Sequence, residues 1–349
     1  MSKTNFLLLG AGLLLSATSH ASATLPQSST QTSLFSQHAS ISDSAICFRG
    51  PFQSYETFIK MLQQKNKDRP AAAQQQLANM FNKADFARYQ QQLDCQTFTY
   101  TVDGVPVKGW MIKPKQHQGK LPVIIYNRGG NGGYGSIMMA FALQRLMPWA
   151  ERGYLVIASN YRGEHNWGRN PPANIGQDEF GGAEVNDVLA LWPILQQSPA
   201  ADMEKVAMFG ESRGSMMTFL AAKSMPGLKA VISSAGVSDL VAELKFRPEM
   251  ERMYQHRIPH YQIRKEQALK ERSVVHFIDQ IPVTLPILLL HGSADQQVDV
   301  KNSEQLAKLL QQRLQPHKLV IYPLDNHGLR NNRQQADAEI SAWLDKHLN

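Results

Sequence analysis

The chain has 349 residues, a hydrophobic share of 43% and a formal charge of +7. That length suits one large α/β domain with an appendage, or two ordinary domains. After the N-terminal segment no stretch reaches about eighteen consecutive apolar residues, which excludes a membrane span in the mature chain. Lys and Arg form no long tract, which argues against a nucleic-acid-binding arm.

Residues 1–23 read as a secretory signal peptide. Lys3 precedes an apolar run from Phe6 to Leu15, and Ala21-Ser22-Ala23 offers a small-residue cleavage site. The expected mature protein is exported, to a periplasm or beyond. Residues from Thr24 to about Ser44 are rich in Ser, Thr and Gln and read as a poorly ordered leader. Residues 53–94 carry apolar residues at helical spacing, among them Phe58, Met61, Leu62, Leu77, Met80 and Phe81, and predict two or three helices. Cys47 and Cys95 are the only cysteines, and an oxidising compartment lets them pair; two free thiols are the alternative.

At Cys95 the texture changes. "CQTFTYTVDGVPVKGWMIKP" alternates apolar and polar residues about Asp103-Gly104, a hairpin signature. Thereafter "LPVIIYNRGG", "GYLVIASNYRG", "KVAMFGES", "LKAVISSAG", "PILLLHGSAD" and "HKLVIYPL" read as strands. Helices are expected at 137–151, 182–197, 213–224, near 302–313 and from about 333. The alternation predicts an α/β fold with a mostly parallel sheet and helices on both faces, over residues 95–349.

Ser212 lies in "GESRG" between a buried strand and a helix. The flanking Gly210 and Gly214 suit a tight corner that lifts the hydroxyl above the carboxyl edge of the sheet. A serine hydroxyl becomes nucleophilic when a histidine takes its proton and an acid orients that histidine. In such sheets the chain order is serine, acid, histidine. Asp295 and His327 follow the last two strands and complete the set. Asp299 lies further into its loop, Asp325 is too near His327 in sequence, and His291 at a strand end reads as structural. His256 and His260 have the spacing of a zinc pair, but Pro259 between them opposes a regular helix, so no metal is expected. The backbone N–H of Arg213, with Gly129 or Gly130 from the "RGGNGGYG" loop, is the expected oxyanion hole.

Several stretches in the same order resemble the catalytic domain of the prolyl oligopeptidase family, within the α/β-hydrolase superfamily. They are "VDGVPVKGWMIKP", "YNRGGNGGYG", "SNYRGEHNWG", "GGAEVNDV", "GESRGSMMT", "FIDQIPVTLPILLLHGSADQQV" and "DNHGL". The resemblance implies Ser212 as nucleophile, Asp295 as orienting acid and His327 as general base, with no cofactor. It departs in three places. The 24–94 segment looks helical where the family usually carries a β-propeller. Arg128 replaces the usual histidine before the glycine pair, and Ser215 replaces a glycine. Arg162 and Asp187 fall in matching stretches and read as a structural ion pair. Residues 237–285 form a helical, lid-like insert; from Lys245 to Arg272 it has eight basic and four acidic residues. That charge is either a solvated face or a preference for substrates bearing a carboxylate.

The expected protein is an exported serine hydrolase, most directly a peptidase acting on short peptides through an acyl-enzyme. A secreted carboxylic ester hydrolase uses the same machinery, and a non-catalytic binding module on this fold is the third reading.

Overall fold

A computed structural model describes residues 40–164, 167 and 171–348. The predicted signal peptide, most of the leader, and His165, Asn166 and Gly168 of the matched stretches lie outside the described residues. Nine strands form one sheet: β1 (Ile41–Ile46), β2 (Leu93–Val102), β3 (Val105–Pro114), β4 (Leu121–Asn127), β5 (Leu155–Ser159), β6 (Ala201–Glu211), β7 (Ala230–Ser234), β8 (Ile287–Gly292) and β9 (His317–Tyr322). Their spatial order is β1-β2-β3-β5-β4-β6-β7-β8-β9. Pairs from β1 to β5 on that side are antiparallel, and β5-β4-β6-β7-β8-β9 are parallel. This is an α/β-hydrolase fold.

Local chemistry accounts for the elements. Asp103 (φ 51°) and Gly104 (φ 73°) both take left-handed backbone, which a two-residue hairpin turn requires. The central strands β5, β7 and β8 are buried throughout, as strands covered on both faces must be. Among the described residues three α-helices precede the hairpin: α1 (Tyr55–Lys65), α2 (Ala71–Asn79) and α3 (Lys83–Gln92). Ser54 caps α1 and Asn82 caps α3, each accepting from backbone N–H groups of the first turn. Phe58, Phe81 and Phe86 pack together and join this segment to one face of the sheet.

The helix expected at 137–151 is two, α4 (Met139–Arg145) and α5 (Met147–Glu151), and that at 182–197 is α6 (Val185–Leu189) and α7 (Leu191–Gln196). Pro148 and Pro193 each lack the N–H that would carry a single helix through. The remaining helices are α8 (Arg213–Ala222), α9 (Leu240–Phe246), α10 (Met250–Arg257), α11 (Tyr261–Glu271), α12 (Lys301–Gln312) and α13 (Arg333–Leu348). No helix among the described residues is long and apolar enough to cross a membrane.

One reading needs correction. The end of the presumed leader, Ile41–Ile46, is an edge strand paired antiparallel with β2. Its side chains are mostly exposed, so main-chain pairing holds it and no apolar pattern marks it in the sequence. Cys47, just beyond it, is disulfide-bonded to Cys95 on β2 and donates its N–H to the Cys95 carbonyl. The bridge closes a loop worth up to about 4 kcal/mol in the chain-entropy picture. Thiol titration of the denatured, unreduced protein should find no free thiol, and replacing both cysteines by serine should lower the unfolding free energy by about 2–4 kcal/mol in urea titrations.

Candidate active site

Strand β4 is where the connections reverse: β5 lies on one side of it and β6 on the other. Loops leaving neighbouring strands at such a point diverge and leave a crevice at the carboxyl edge. Asn127, the last residue of β4, pairs with Gly210 near the end of β6. The glycine loop after β4 therefore lies beside the corner after β6. Asp295 and His327 follow the adjacent strands β8 and β9.

Ser212 occupies that corner with φ 56° and ψ −126°, a conformation that costs free energy for any residue with a side chain. It is held by close main-chain packing. A β-carbon on Gly214 would overlap the Asn127 carbonyl, and one on Gly210 would overlap the Gly214 carbonyl. The Ser212 N–H donates to the Ser234 carbonyl on β7 (2.8 Å), and the Ser215 hydroxyl donates to the Gly210 carbonyl (2.8 Å). Ser215, one of the departures from the family pattern, thus ties down the same corner.

Asp295 is buried and fully engaged. Its Oδ1 accepts the N–H groups of Gln297 (2.7 Å) and Val298 (3.1 Å). Its Oδ2 accepts from His327 Nδ1 (2.7 Å) and His291 Nε2 (3.1 Å). Burial raises its pKa, but the hydrogen bonds from His291 and His327 outweigh it and hold the carboxyl well below the usual range. A carboxylate only accepts, so His327 carries its proton on Nδ1 and leaves the Nε2 lone pair free. His291 Nε2 also faces the Val298 carbonyl (3.1 Å), while its Nδ1 accepts from the Ser303 hydroxyl (2.7 Å). His291, read as structural, is a second donor to the acid; only the fold reveals that contact.

His327 and Ser212 line one cavity of about 550 Å3, with Gly129 and Gly130 beside them. A β-carbon on Gly129 would lie 3.7 Å from Ser212 Oγ, so this glycine faces the serine directly. Gly130 takes φ 74° and packs against the Tyr134 carbonyl. The loop is anchored by two buried arginines. Arg128 donates to the carbonyls of Gly129 (3.0 Å), Gly132 (2.8 Å), Tyr134 (3.2 Å) and Asn160, and stacks on Tyr161. The Arg213 side chain donates to the Gly130 carbonyl (2.8 Å) and pairs with Asp178 and Glu184. Asp178 in turn accepts the Gly132 N–H (2.6 Å). With these carbonyls bonded to guanidinium groups, no protein acceptor meets the N–H groups of Gly129, Gly130 or Arg213 among the described residues.

The other singled-out residues have separate duties. Asp325 clamps the histidine loop by accepting from the N–H groups of Asn326, Asn331 and Asn332. Asp299 accepts the Lys301 N–H at the start of α12. Arg162 and Asp187 form a buried, two-pronged ion pair. α10 ends before His260, which has left-handed backbone, so His256 and His260 do not share a helix face. No group of metal-ligating side chains occurs among the described residues. The insert packs over the corner, and its basic residues Arg247, Arg264, Lys265 and Lys270 are paired with nearby glutamates. These four pairs engage all four acidic residues of the stretch, and its net charge of +4 rests on Lys245, Arg252, Arg257 and Arg272.

Fold and site together define a serine hydrolase on an α/β-hydrolase scaffold. The sequence pattern of the prolyl oligopeptidase family matches residues 139–349, and the chain belongs to that family. The pattern of acetyl xylan esterases matches residues 69–185. An uncharacterised peptidase of Bacillus subtilis, YtmA, is 29% identical over 265 residues, covering 75% of this chain and 97% of the relative. The dipeptidyl-peptidase 5 of Porphyromonas gingivalis is 27% identical over 71% of this chain but only 37% of its own length. The acylaminoacyl peptidase of Pyrococcus horikoshii superposes with a TM-score of 0.65 at 20% identity, over 77% of this chain and 44% of that one. A puromycin-hydrolysing peptidase of Mycobacterium tuberculosis gives 0.60 at 25% identity, over 72% and 39%. The chain thus spans nearly all of one relative and about two-fifths of the longer ones.

The corner makes a steric prediction. Gly214→Ala should destabilise by at least about 3 kcal/mol or abolish soluble expression, because backbone must move to admit the methyl group. Gly328→Ala, beside His327, meets only ordinary contacts at 3.6 Å and should stay within about 1 kcal/mol by thermal or urea unfolding.

Proposed function

We propose that the protein is an exported peptidase that cleaves amide bonds of short peptides through an acyl-enzyme, with Ser212 as nucleophile, His327 as general base and Asp295 as its orienting acid. Ser212 Oγ attacks the carbonyl carbon while His327 Nε2 takes its proton. Asp295 holds Nδ1–H and offsets the charge of the imidazolium. The N–H groups of Arg213 and of Gly129 or Gly130 receive the oxyanion. His327 then protonates the leaving amine, and water repeats the sequence on the acyl-enzyme. The observation that carries the reading is an imidazole fixed by Asp295 with Nε2 free, lining the same cavity as a serine on a strained corner.

The peptidase relatives support an amide substrate. Export rests on the layout of residues 1–23 and on the Cys47–Cys95 bridge, which suits an oxidising compartment. A carboxylic ester hydrolase is the second reading, favoured by the acetyl xylan esterase match over residues 69–185.

A fluorophosphonate probe should label the protein at Ser212 and nowhere else, as read by peptide mass mapping. Ser212→Ala should lose at least about 10⁴-fold in kcat/KM, and Asp295→Asn about 10⁴-fold in kcat with the fold retained by circular dichroism. Aminoacyl anilides turned over as readily as p-nitrophenyl esters would favour the peptidase; esters alone would favour the second reading.

A further inference from the structure

The cavity lined by His327 is not the only one at Ser212. A second, of about 290 Å3, meets it at Gly130, Tyr134, Ser212 and Gln297 and runs under the insert. It is at the small end of ligand pockets, room for one side chain. What it holds can be argued from the chemistry proposed above, on which this inference rests. His327 must return its proton to the leaving group, so the leaving group lies in the cavity that His327 lines. The residue on the acyl side is then directed into the other one.

The walls of that second cavity mix apolar side chains, among them Phe180, Val237, Met250 and Val298, with polar ones, and Glu243 of α9 is one of the latter. Glu243 is only 3% exposed. Its Oε2 accepts from the Asn302 side chain (2.8 Å), while its Oε1 has no hydrogen-bond partner among the described residues. The cations lining the same cavity are committed elsewhere. Arg247 donates to Glu249 (2.8 Å) and to the Gln297 carbonyl (2.9 Å), and Arg213 is paired with Asp178 and Glu184. Burial, only partly offset by Asn302, the Asp299 N–H and the more distant attraction of Arg247, pushes the Glu243 carboxyl up to about 7. A buried carboxylate without a hydrogen-bonded cation is costly, and an incoming cation that also donates a hydrogen bond relieves that cost.

We propose that this cavity receives the acyl-side residue of the substrate and that Glu243 makes it selective for a basic side chain, lysine or arginine, over an apolar one of similar length. The long methylene stem of such a residue packs on the apolar walls while its charged end reaches the carboxylate. The basic composition of the insert argues for the opposite preference, but of its basic residues only Arg247, paired with Glu249, lines this cavity, whereas Lys245, Arg252, Arg257 and Arg272 do not and Glu243 does.

The test compares kcat/KM for p-nitrophenyl esters and p-nitroanilides of Nα-acetyl-lysine, Nα-acetyl-norleucine and Nα-acetyl-glutamate. Norleucine has the lysine stem without the ammonium. The wild-type protein should prefer lysine over norleucine at least tenfold, and Glu243→Gln should bring that ratio to within about threefold of one. A wild-type ratio near one, or a preference for glutamate, overturns the proposal whatever the variant does, and leaves the hydrolase reading standing if the esters are turned over. A lysine preference that persists in Glu243→Gln overturns the role of Glu243. Lysine preferred among esters with no anilide turned over upholds the pocket and shifts the reading to an esterase. No turnover of any substrate, with no fluorophosphonate labelling, overturns both.

Discussion

The contact between strands β4 and β6 is the constraint on which the site depends. Asn127 and Gly210 pair across it, and the helix that starts at Arg213 is pressed so closely on this ladder that only hydrogen fits at position 214. The corner between them then leaves Ser212 no relaxed conformation. The cost of its backbone geometry is borne by the packing of the whole sheet, which turns a common amino acid into one that projects from a rigid edge.

Around that corner the protein buries two arginines, an expensive choice unless the charge is paired or its donors are largely bonded. Arg213 is balanced by Asp178 and Glu184, whereas Arg128 is surrounded by main-chain carbonyls and the face of Tyr161. The shared consequence is directional. The loop's carbonyls are drawn onto guanidinium groups, while the N–H groups of Gly129 and Gly130 meet no protein acceptor among the described residues. The departure at Arg128 therefore has a physical role in holding the loop.

The insert between β7 and β8 and the helices before β2 set the surroundings of the serine. The insert gives a wall to the smaller cavity, and α2 and α3 help wall a larger cleft that reaches Gly328 and Arg330 beside the histidine loop. The cavities beside the serine and the histidine loop are thus walled by side chains from elements far apart in the chain, whereas Ser212, Asp295 and His327 all follow the ends of sheet strands.

The sequence by itself determined the strand and helix alternation, the hairpin at Asp103-Gly104, and the positions of Ser212, Asp295 and His327, because each depends on local periodicity or on a short motif at an element boundary. It also marked the glycine loop. It missed β1, whose exposed side chains leave no pattern, and it ran helices through Pro148 and Pro193. Only the tertiary structure decided that Cys47 meets Cys95, that His291 shares the acid with His327, that Arg128 binds carbonyls and that Glu243 reaches the cavity beside the serine. These are contacts between residues distant in the chain, fixed by strand order and packing, and local patterning carries no information about which distant side chains become neighbours.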